Sequence, residues 1–433
     1  MATRNRVIYQ SEAVYVTTDS TVFSGSNTSS SCPTKDLQRV QSCNYSFNIG
    51  RTDVNQFGQL GAIDRIITES PSVSVDTSYL LANMANEARL GFYVTPSGSG
   101  GPFRSCITNL VDAETNAYQK NWYILSAKEG KDADITTDVS GSTSSGNYDS
   151  VIGIGNVGLT SYSIEAAVGG FPTVSVAAEG LNMNFTSPLA AHVSGDRFPF
   201  FIYAKNPAID PVNGIAFDPP GQPSGYATAA LPAPSGNAGG EDAGEKAAGA
   251  ISVLRPGDIR VYLAKQTSED VGGAAVANNA TFPDYAGAEI ADAHLQSFNI
   301  SFDMSRSPIE KLGSRFAYAR PIDFPISISF GMEAVLADLT TGALSDIVEC
   351  DELFDARIQL NNPACGATVG AAAAANYILK GVKLDSQSFS LGMGDNKTVS
   401  LSFTSQIGGP EQSGMGLFMS GYTGSLFNNY ERA

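Results

Sequence analysis

Histidine and tryptophan are almost missing from this chain, with two His and one Trp in 433 residues. His192 and His294 are too few for a multi-His metal site and leave a His-based catalytic triad little room. Cysteine is scarce as well. Cys32, Cys43, Cys106, Cys350 and Cys365 are odd in number and contain no Cys-x-x-Cys pair, which reads as reduced thiols rather than a disulfide framework. Basic charge is short: 26 Lys and Arg stand against 43 Asp and Glu, a net charge of −17, which argues against a nucleic-acid binder held by a broad basic surface. Only 16% of residues are charged, so a charge-rich coiled coil is not expected, while 42% are hydrophobic, which excludes a wholly disordered acidic chain. No apolar run reaches the roughly 18 residues of a membrane span. The start, Met1 to Glu12, shows no apolar core of a signal peptide.

What the chain does have is length for two to four domains, at about 100–200 residues each, and an internal repeat. Val40–Asp76 lies over Leu295–Gly331 without a gap, at a shift of 255. Identical pairs include Gln41/Gln296, Ser42/Ser297, Asn44/Asn299, Ser46/Ser301, Phe47/Phe302, Arg51/Arg306, Gly58/Gly313, Arg65/Arg320 and Ser74/Ser329. A second block, Val157–Val176, lies over Val382–Leu401 at a shift of 225, with Leu159/Leu384, Ser161/Ser386, Ser163/Ser388, Gly169/Gly394 and Val174/Val399 identical. The difference of 30 means that the first copy carries extra residues, with Pro96–Pro102 and Val139–Ser150 as candidates. Val14-Tyr15-Val16 echoes Val261-Tyr262-Leu263 ahead of the blocks. The same order in both places implies duplication of one domain.

The repeated blocks read as strands. Cys43, Tyr45, Phe47 and Ile49 alternate with Ser42, Asn44, Ser46 and Asn48. Phe298, Ile300, Phe302 and Met304 alternate with Ser297, Asn299, Ser301 and Asp303 in the same phase. Period two with one apolar face is the pattern of a half-buried β-strand. Ser70–Asp76 and its partner alternate likewise, and Gly50–Glu69 between them reads as a long hairpin arm, repeated at Ser305–Phe324. Ser78–Leu90 suits a short helix stopped by Gly91, with Met332–Leu339 in the same place in the second copy. Gly169-Gly170 and Gly394-Asp395-Asn396 supply turns in the closing blocks. The fold expected is mainly β: two tandem β-sandwich or half-barrel domains with short helices and long hairpin arms. Their bounds are residues 1–195 and 251–433. Residues 196–250 form a linker, because Pro, Gly and Ala fill 26 of the 45 positions from Asn206 to Ala250. Phe198–Tyr203 before it is apolar enough to pack, and Gly408–Ala433 reads as a flexible C-terminal arm.

Other motifs carry less. Gly153-Ile-Gly-Asn-Val-Gly158 matches the dinucleotide pattern, but Leu159–Ile164 after it alternates as a strand where a helix is required. Glu349-Cys-Asp-Glu352 is a solvated helix start or, less simply, a cation site. The Asn-x-Ser/Thr sequons, Asn44-Tyr-Ser among them, carry no weight in so Ser/Thr/Asn-rich a chain. No catalytic residue, metal or cofactor is expected. The polar strand face, free of Lys and Arg in both copies, suits the inner wall of a channel better than a plain solvated face. A basic wall would grip DNA phosphates, and a neutral or acidic one lets DNA slide.

The runs Arg39–Leu60, Pro71–Tyr79, Asn86–Phe92 and Trp122–Asp132 resemble the major tail tube proteins of long-tailed phages. The resemblance covers most of the first copy and, more faintly, the second. It implies β-sandwich or half-barrel subunits that close into rings by sheet continuation, and rings that stack into a tube through which DNA is ejected. A duplicated member implies three chains in a pseudo-sixfold ring. The resemblance implies inter-ring contacts at the arms, around Arg51, Asp53, Asn55, Phe57 and Arg65 in the first and Arg306, Ile309, Leu312 and Arg320 in the second. For the four arginines, inter-ring salt bridges are preferred over a solvated hairpin. Ser42, Asn44, Ser46, Asn48, Ser297, Asn299, Ser301 and Asp303 would face the lumen. The implied partners are further copies of the chain, a tape measure protein, tail terminator or baseplate proteins, and double-stranded DNA that passes without specific binding. The implied location is the virion tail, assembled in the host bacterial cytoplasm. The competing class is another self-assembling virion shell or fibre protein, such as a capsid decoration or pilus-like subunit.

Overall fold

The computed structural model describes residues 12–17, 34–68, 72–96, 104–111, 120–127, 148–186, 202–205, 228–231, 253–265, 288–289, 295–310, 312, 317, 319–335, 353–361, 373–390, 398–409 and 414–421. The first part of the chain gives β1 (Glu12–Thr17), β2 (Thr34–Asp36), β3 (Val40–Asn48), β4 (Arg51–Val54), β5 (Asp64–Ile67), β6 (Ser72–Leu80), α1 (Ala85–Leu90), β7 (Val94–Pro96), β8 (Lys120–Ala127), β9 (Tyr148–Ala167), β10 (Thr173–Gly180) and β11 (Asn182–Thr186). A short pair, β12 (Ile202–Lys205) and β13 (Thr228–Leu231), follows. The remainder gives β14 (Ile259–Lys265), β15 (Ala288–Glu289), β16 (Leu295–Asp303), β17 (Ile326–Val335), β18 (Phe354–Asn361), β19 (Ala373–Ser390), β20 (Thr398–Ile407) and β21 (Gly416–Gly421). The chain is mainly β, as its period-two blocks require.

Eight strands form one continuous antiparallel run in the order β3-β6-β10-β9-β16-β17-β20-β19. It consists of two quartets, β3-β6-β10-β9 and β16-β17-β20-β19, joined edge to edge where β9 pairs with β16. Each long strand also serves a second layer with its N-terminal half. β9 pairs there with β8 and β11, and β8 with β1. β19 pairs with β18 and β21, and β18 with β14. The long strands turn from one layer to the other at Asn156 (φ +55°) and at Gly381 (φ +64°), both left-handed.

Irregularities recur at the sequence shifts. The β3–β6 ladder slips at Gln41 and the β16–β17 ladder at Gln296. The β9–β10 ladder slips at Thr160 and the β19–β20 ladder at Asp385. The first arm is the β4–β5 hairpin, with Arg51 opposite Ile67 and Val54 opposite Asp64. The second pairs Arg306 with Ile322 and Ile309 with Ala319, the same partners displaced by 255.

One hydrophobic core runs through both quartets, from Val73, Val75, Ile154 and Val174 to Ile328, Phe330, Leu401 and Phe403. At the join, Ile164 lies opposite Ile300 and Tyr162 opposite Phe302. The Phe92, Tyr162 and Phe302 rings close the join from below, with Phe92–Tyr162 centroids 5.0 Å apart and nearly edge-on. Burying a large apolar side chain is worth about 1.5–3 kcal/mol, so the two quartets share a core rather than merely touch.

Several expectations change. Ser78–Leu80 belongs to β6, because its backbone pairs with Thr173–Ser175 of β10, and the helix is confined to Ala85–Leu90. Gly91 ends it in a left-handed conformation (φ +107°), as the stop signal predicts. Met332–Val335 is strand, not helix, since all four residues are paired with Thr398–Leu401 of β20, while 336–339 lie outside the described residues. Of the expected arm Gly408–Ala433, residues 410–413 and 422–433 lie outside the described residues, and the part described is not loose. Gly416–Gly421 is a fully buried strand between β19 and the parallel β7, and Leu417, Phe418 and Met419 explain its burial. β13 places four residues of the Pro/Gly/Ala tract in a strand pair, while 206–227 and 232–250 lie outside the described residues. So do residues 97–102, most of Val139–Ser150, the Gly394–Asn396 turn, Glu349–Glu352, His192, His294, Cys32, Cys350 and Cys365.

Candidate functional site

The alternation of β3 and β16 sends every second residue to one face of the eight-stranded run. Ser42, Asn44, Ser46 and Asn48 are exposed there, as are Asn299 and Asp303, with Ser297 and Ser301 half-buried. The face is organised by register. Ser42 stands opposite Ser78, Ser78 opposite Ser175, Ser175 opposite Ser163, Ser163 opposite Ser301 and Ser301 opposite Ser329. Six serines thus cross six strands in one row and cross the join without a break. The Ser42 and Ser78 hydroxyls are 2.6 Å apart, as are those of Ser46 and Ser74, so hydroxyls bond one another across strands. Two shallow grooves lie on this face, one in each quartet. The first is lined by Ser42, Asn44, Asp76, Ser78, Ser161, Ser163 and Ser175, the second by Ser297, Asn299, Ser329, Glu333, Ser388, Ser400 and Ser402. Gly331 lets the Asn299 side chain lie flat, because a Cβ there would collide with its amide oxygen. Charges on the face are mostly acidic, Asp76, Glu165, Asp303 and Glu333.

The two arms share a register but not an environment. In the first, residues 51–66 are all exposed, and Phe57 and Leu60 at its tip are bare. Arg65 bonds Asp53 across the hairpin, Nε to Oδ1 at 2.6 Å, and this contact raises the pKa of its guanidinium. Arg51 and Asn55 are exposed on the same arm. In the second arm, Leu312 at the tip is bare and Ile309 exposed, but the base is anchored. Arg306 donates from Nε to the Leu159 carbonyl at 2.9 Å and from Nη1 to the Arg320 carbonyl at 3.0 Å. Arg320 is buried and donates from Nη2 to the Asn156 carbonyl. Gly158 makes room for this, since a Cβ would stand 2.9 Å from Arg306 Nε. Within the chain, Arg306 and Arg320 therefore tie the second arm to the turn of β9. The cause is local: carbonyls freed by the bend at Asn156 need donors, and the two guanidiniums supply them.

A cluster the sequence did not disclose lies under the join. Glu87 of α1 is fully buried, and its Oε1 accepts from the Tyr79 hydroxyl at 2.9 Å and the Tyr162 hydroxyl at 3.3 Å. Tyr162 in turn meets the Tyr377 hydroxyl at 2.9 Å. Burial pushes the Glu87 carboxyl up to about 7 against hydrogen bonds from the backbone, Tyr79 and Tyr162 that pull it down. Tyr162 and Tyr377 are not equivalent in the repeat, so no sequence signal joins them. Burial likewise raises the Cys43 thiol to about 11 and the Cys106 thiol further. Among the described residues no three His, Cys, Asp or Glu side chains gather as metal ligands, and no helix is long and apolar enough to cross a membrane. The glycines of 153–158 sit inside β9, paired with β8, β10 and β11.

No protein-family model matches the chain. No curated protein matches it. Among solved structures, it is similar to a chain of the anti-feeding prophage baseplate, solved by cryo-EM and 6-fold symmetrised, at 11% identity and TM-score 0.25, over 38% of this chain and 92% of that one. It is also similar to a chain in the tail of an empty gene transfer agent particle refined with C6 symmetry, at 14% identity and TM-score 0.23, over 37% and 99%. A chain of the native gene transfer agent virion is similar at 13% identity and TM-score 0.22, over 39% and 98%.

Proposed function

We propose that this chain is the structural subunit of a long-tailed phage tail tube, built of two fused tail-tube-type units that each take one place in a ring. The observation that carries the reading is the join of β9 to β16, which continues one quartet into the next with the serine row unbroken. A subunit made this way has a polar, neutral-to-acidic face on one side and an apolar core on the other. Three chains close a pseudo-sixfold ring, and closure removes the two sheet edges that a lone chain leaves open. Fusion of two units holds neighbours at high effective concentration. The arms, with bare tips at Phe57 and Leu312, meet the adjacent ring. The lumen conducts double-stranded DNA without binding it, because an acidic wall offers phosphates no counter-charge. Further partners are a tape measure protein inside the tube and terminator or baseplate proteins at its ends. The setting is the virion tail, assembled in the host cytoplasm, and the role is assembly rather than catalysis.

Electron microscopy of the purified protein tests this reading. Hollow tubes or stacked rings are the expected result. Solid fibres, or monomers under every assembly condition, would move the chain to the class of shell or fibre proteins.

A further inference from the structure

We infer that a second copy of this chain pairs its β3 with the outer half of β19, antiparallel, in a register that sets Tyr45 directly opposite Phe389. The inference rests on the tube-subunit reading above and specifies the contact that reading needs. Its template is the join inside the chain. There Ile300 of β16 faces Ile164 of β9, Ser301 faces Ser163 and Phe302 faces Tyr162. The repeat shifts carry Ile300 to Tyr45 and Ile164 to Phe389. They also carry Ser301 and Ser163 to Ser46 and Ser388, and Phe302 and Tyr162 to Phe47 and Gln387. The shifts hold for the backbone too, because the ladder slips fall at Gln41 and Gln296 and at Thr160 and Asp385.

Burial at the two places supports the transfer. Ile164 and Ile300 are 0% exposed in the internal join, whereas Tyr45 is 39% and Phe389 52% exposed on the strands that end the eight-stranded run. These are the positions that a repeated join would cover. Few guards stand at the rungs concerned. β3 has no charged residue or Pro, and the charges on the outer half of β19, Lys383 and Asp385, and the ladder slips at Gln41 and Asp385 all fall outside Tyr45–Phe47 and Gln387–Phe389. Ser46 opposite Ser388 would carry the hydroxyl face from one chain to the next. The arms stay outside the inference. Lys383 occupies the place of Gly158, where the Arg306 guanidinium rests in the internal join.

Cysteines at the two positions test the register. Tyr45→Cys and Phe389→Cys lie on opposite edges of one chain, about 34 Å apart across seven strand spacings, so they can bond only between chains. Oxidised assemblies of the double variant should give covalent multimers up to a trimer on a non-reducing denaturing gel, at least about ten-fold more than either single variant, which retains the same native thiols. Tyr45→Cys with Gln387→Cys, on rungs two apart, should bond far less. Assembled tubes in which the Tyr45–Phe389 pair stays monomeric would overturn the inference and leave the tube reading standing. A wild-type protein that never forms rings overturns both. If the cysteine variant does not assemble, charge swaps decide. Phe389→Asp and Tyr45→Lys should each abolish ring formation and the combination restore it, whereas Phe389→Asp rings like the wild type would sink the inference.

Discussion

The Tyr162 hydroxyl lies 2.9 Å from that of Tyr377, one from each long strand, beneath the seam that joins the two quartets. Glu87 completes the group by accepting from Tyr162 and Tyr79. Its second oxygen, Oε2, is buried without a hydrogen bond, which favours the protonated, uncharged carboxyl. The folded pKa of about 7 lies above the ordinary 4.5. The folded protein therefore holds a proton that the unfolded chain has lost, and stability from this group is full below about 4.5 and falls as pH rises through 7. Glu87→Gln mimics the protonated form. Thermal unfolding from pH 4.5 to 8.5 should show the variant matching the wild type at the acid end and exceeding it by about 1–3 kcal/mol at the basic end. Parallel curves would refute the assignment.

The internal seam should be costly to hollow out. Ile164 and Ile300 are fully buried opposite each other. Ile164→Ala or Ile300→Ala should each lose about 2–5 kcal/mol in denaturant unfolding. The double variant should depart from the sum of the two, because the residues share one cavity. Simple additivity would mean that the quartets pack independently.

Arg320 should behave as a core residue, unlike its repeat partner. Arg320→Ala removes the donor to the Asn156 carbonyl and leaves a buried site empty. A loss of about 1–3 kcal/mol is expected, with faster amide exchange around Asn156–Leu159. Arg65→Ala removes only an exposed contact to Asp53 and should leave monomer stability within about 0.5 kcal/mol of wild type. Equal effects from both would contradict the difference in environment.

The strands were legible in the sequence because strict alternation with one apolar face fits a half-buried strand and no helix, and β3 and β16 fall where Gln41–Ile49 and its repeat predict. The arms were legible for the same reason, since their boundaries are the ends of alternating blocks. Context misled elsewhere. Ser78–Leu80 has helix-compatible residues but is held in β6 by β10, a partner some 95 residues away. Gly416–Gly421 looks like tail by composition, and its burial between β19 and β7 depends on strands far off in sequence. Arg306 and Arg320 look like their exposed counterparts, and only the bend at Asn156 tells them apart. Glu87 carried no signal at all, since its partners Tyr79 and Tyr162, and Tyr377 behind Tyr162, come from three separate strands.

The register of the internal join also sets the size of a closed ring. Following the serine row from Ser42 through Ser78, Ser175 and Ser163 leads to Ser301, the repeat of Ser46. Each quartet thus advances the stagger by as many residues as it has strands, so shear equals strand number whatever the number of chains. With a rise of about 3.3 Å and a spacing of about 4.8 Å, the strands tilt by about 35°. Three chains would close a barrel of about 24 strands with a backbone radius of about 22 Å, and six chains one of about 45 Å. A helical reconstruction of the tube by cryo-EM measures symmetry, tilt and radius together. Threefold rings of about 22 Å radius, with the β9–β16 pairing repeated between chains, are the expected result. Six chains per ring, or a wall whose strands do not continue from chain to chain, would contradict it.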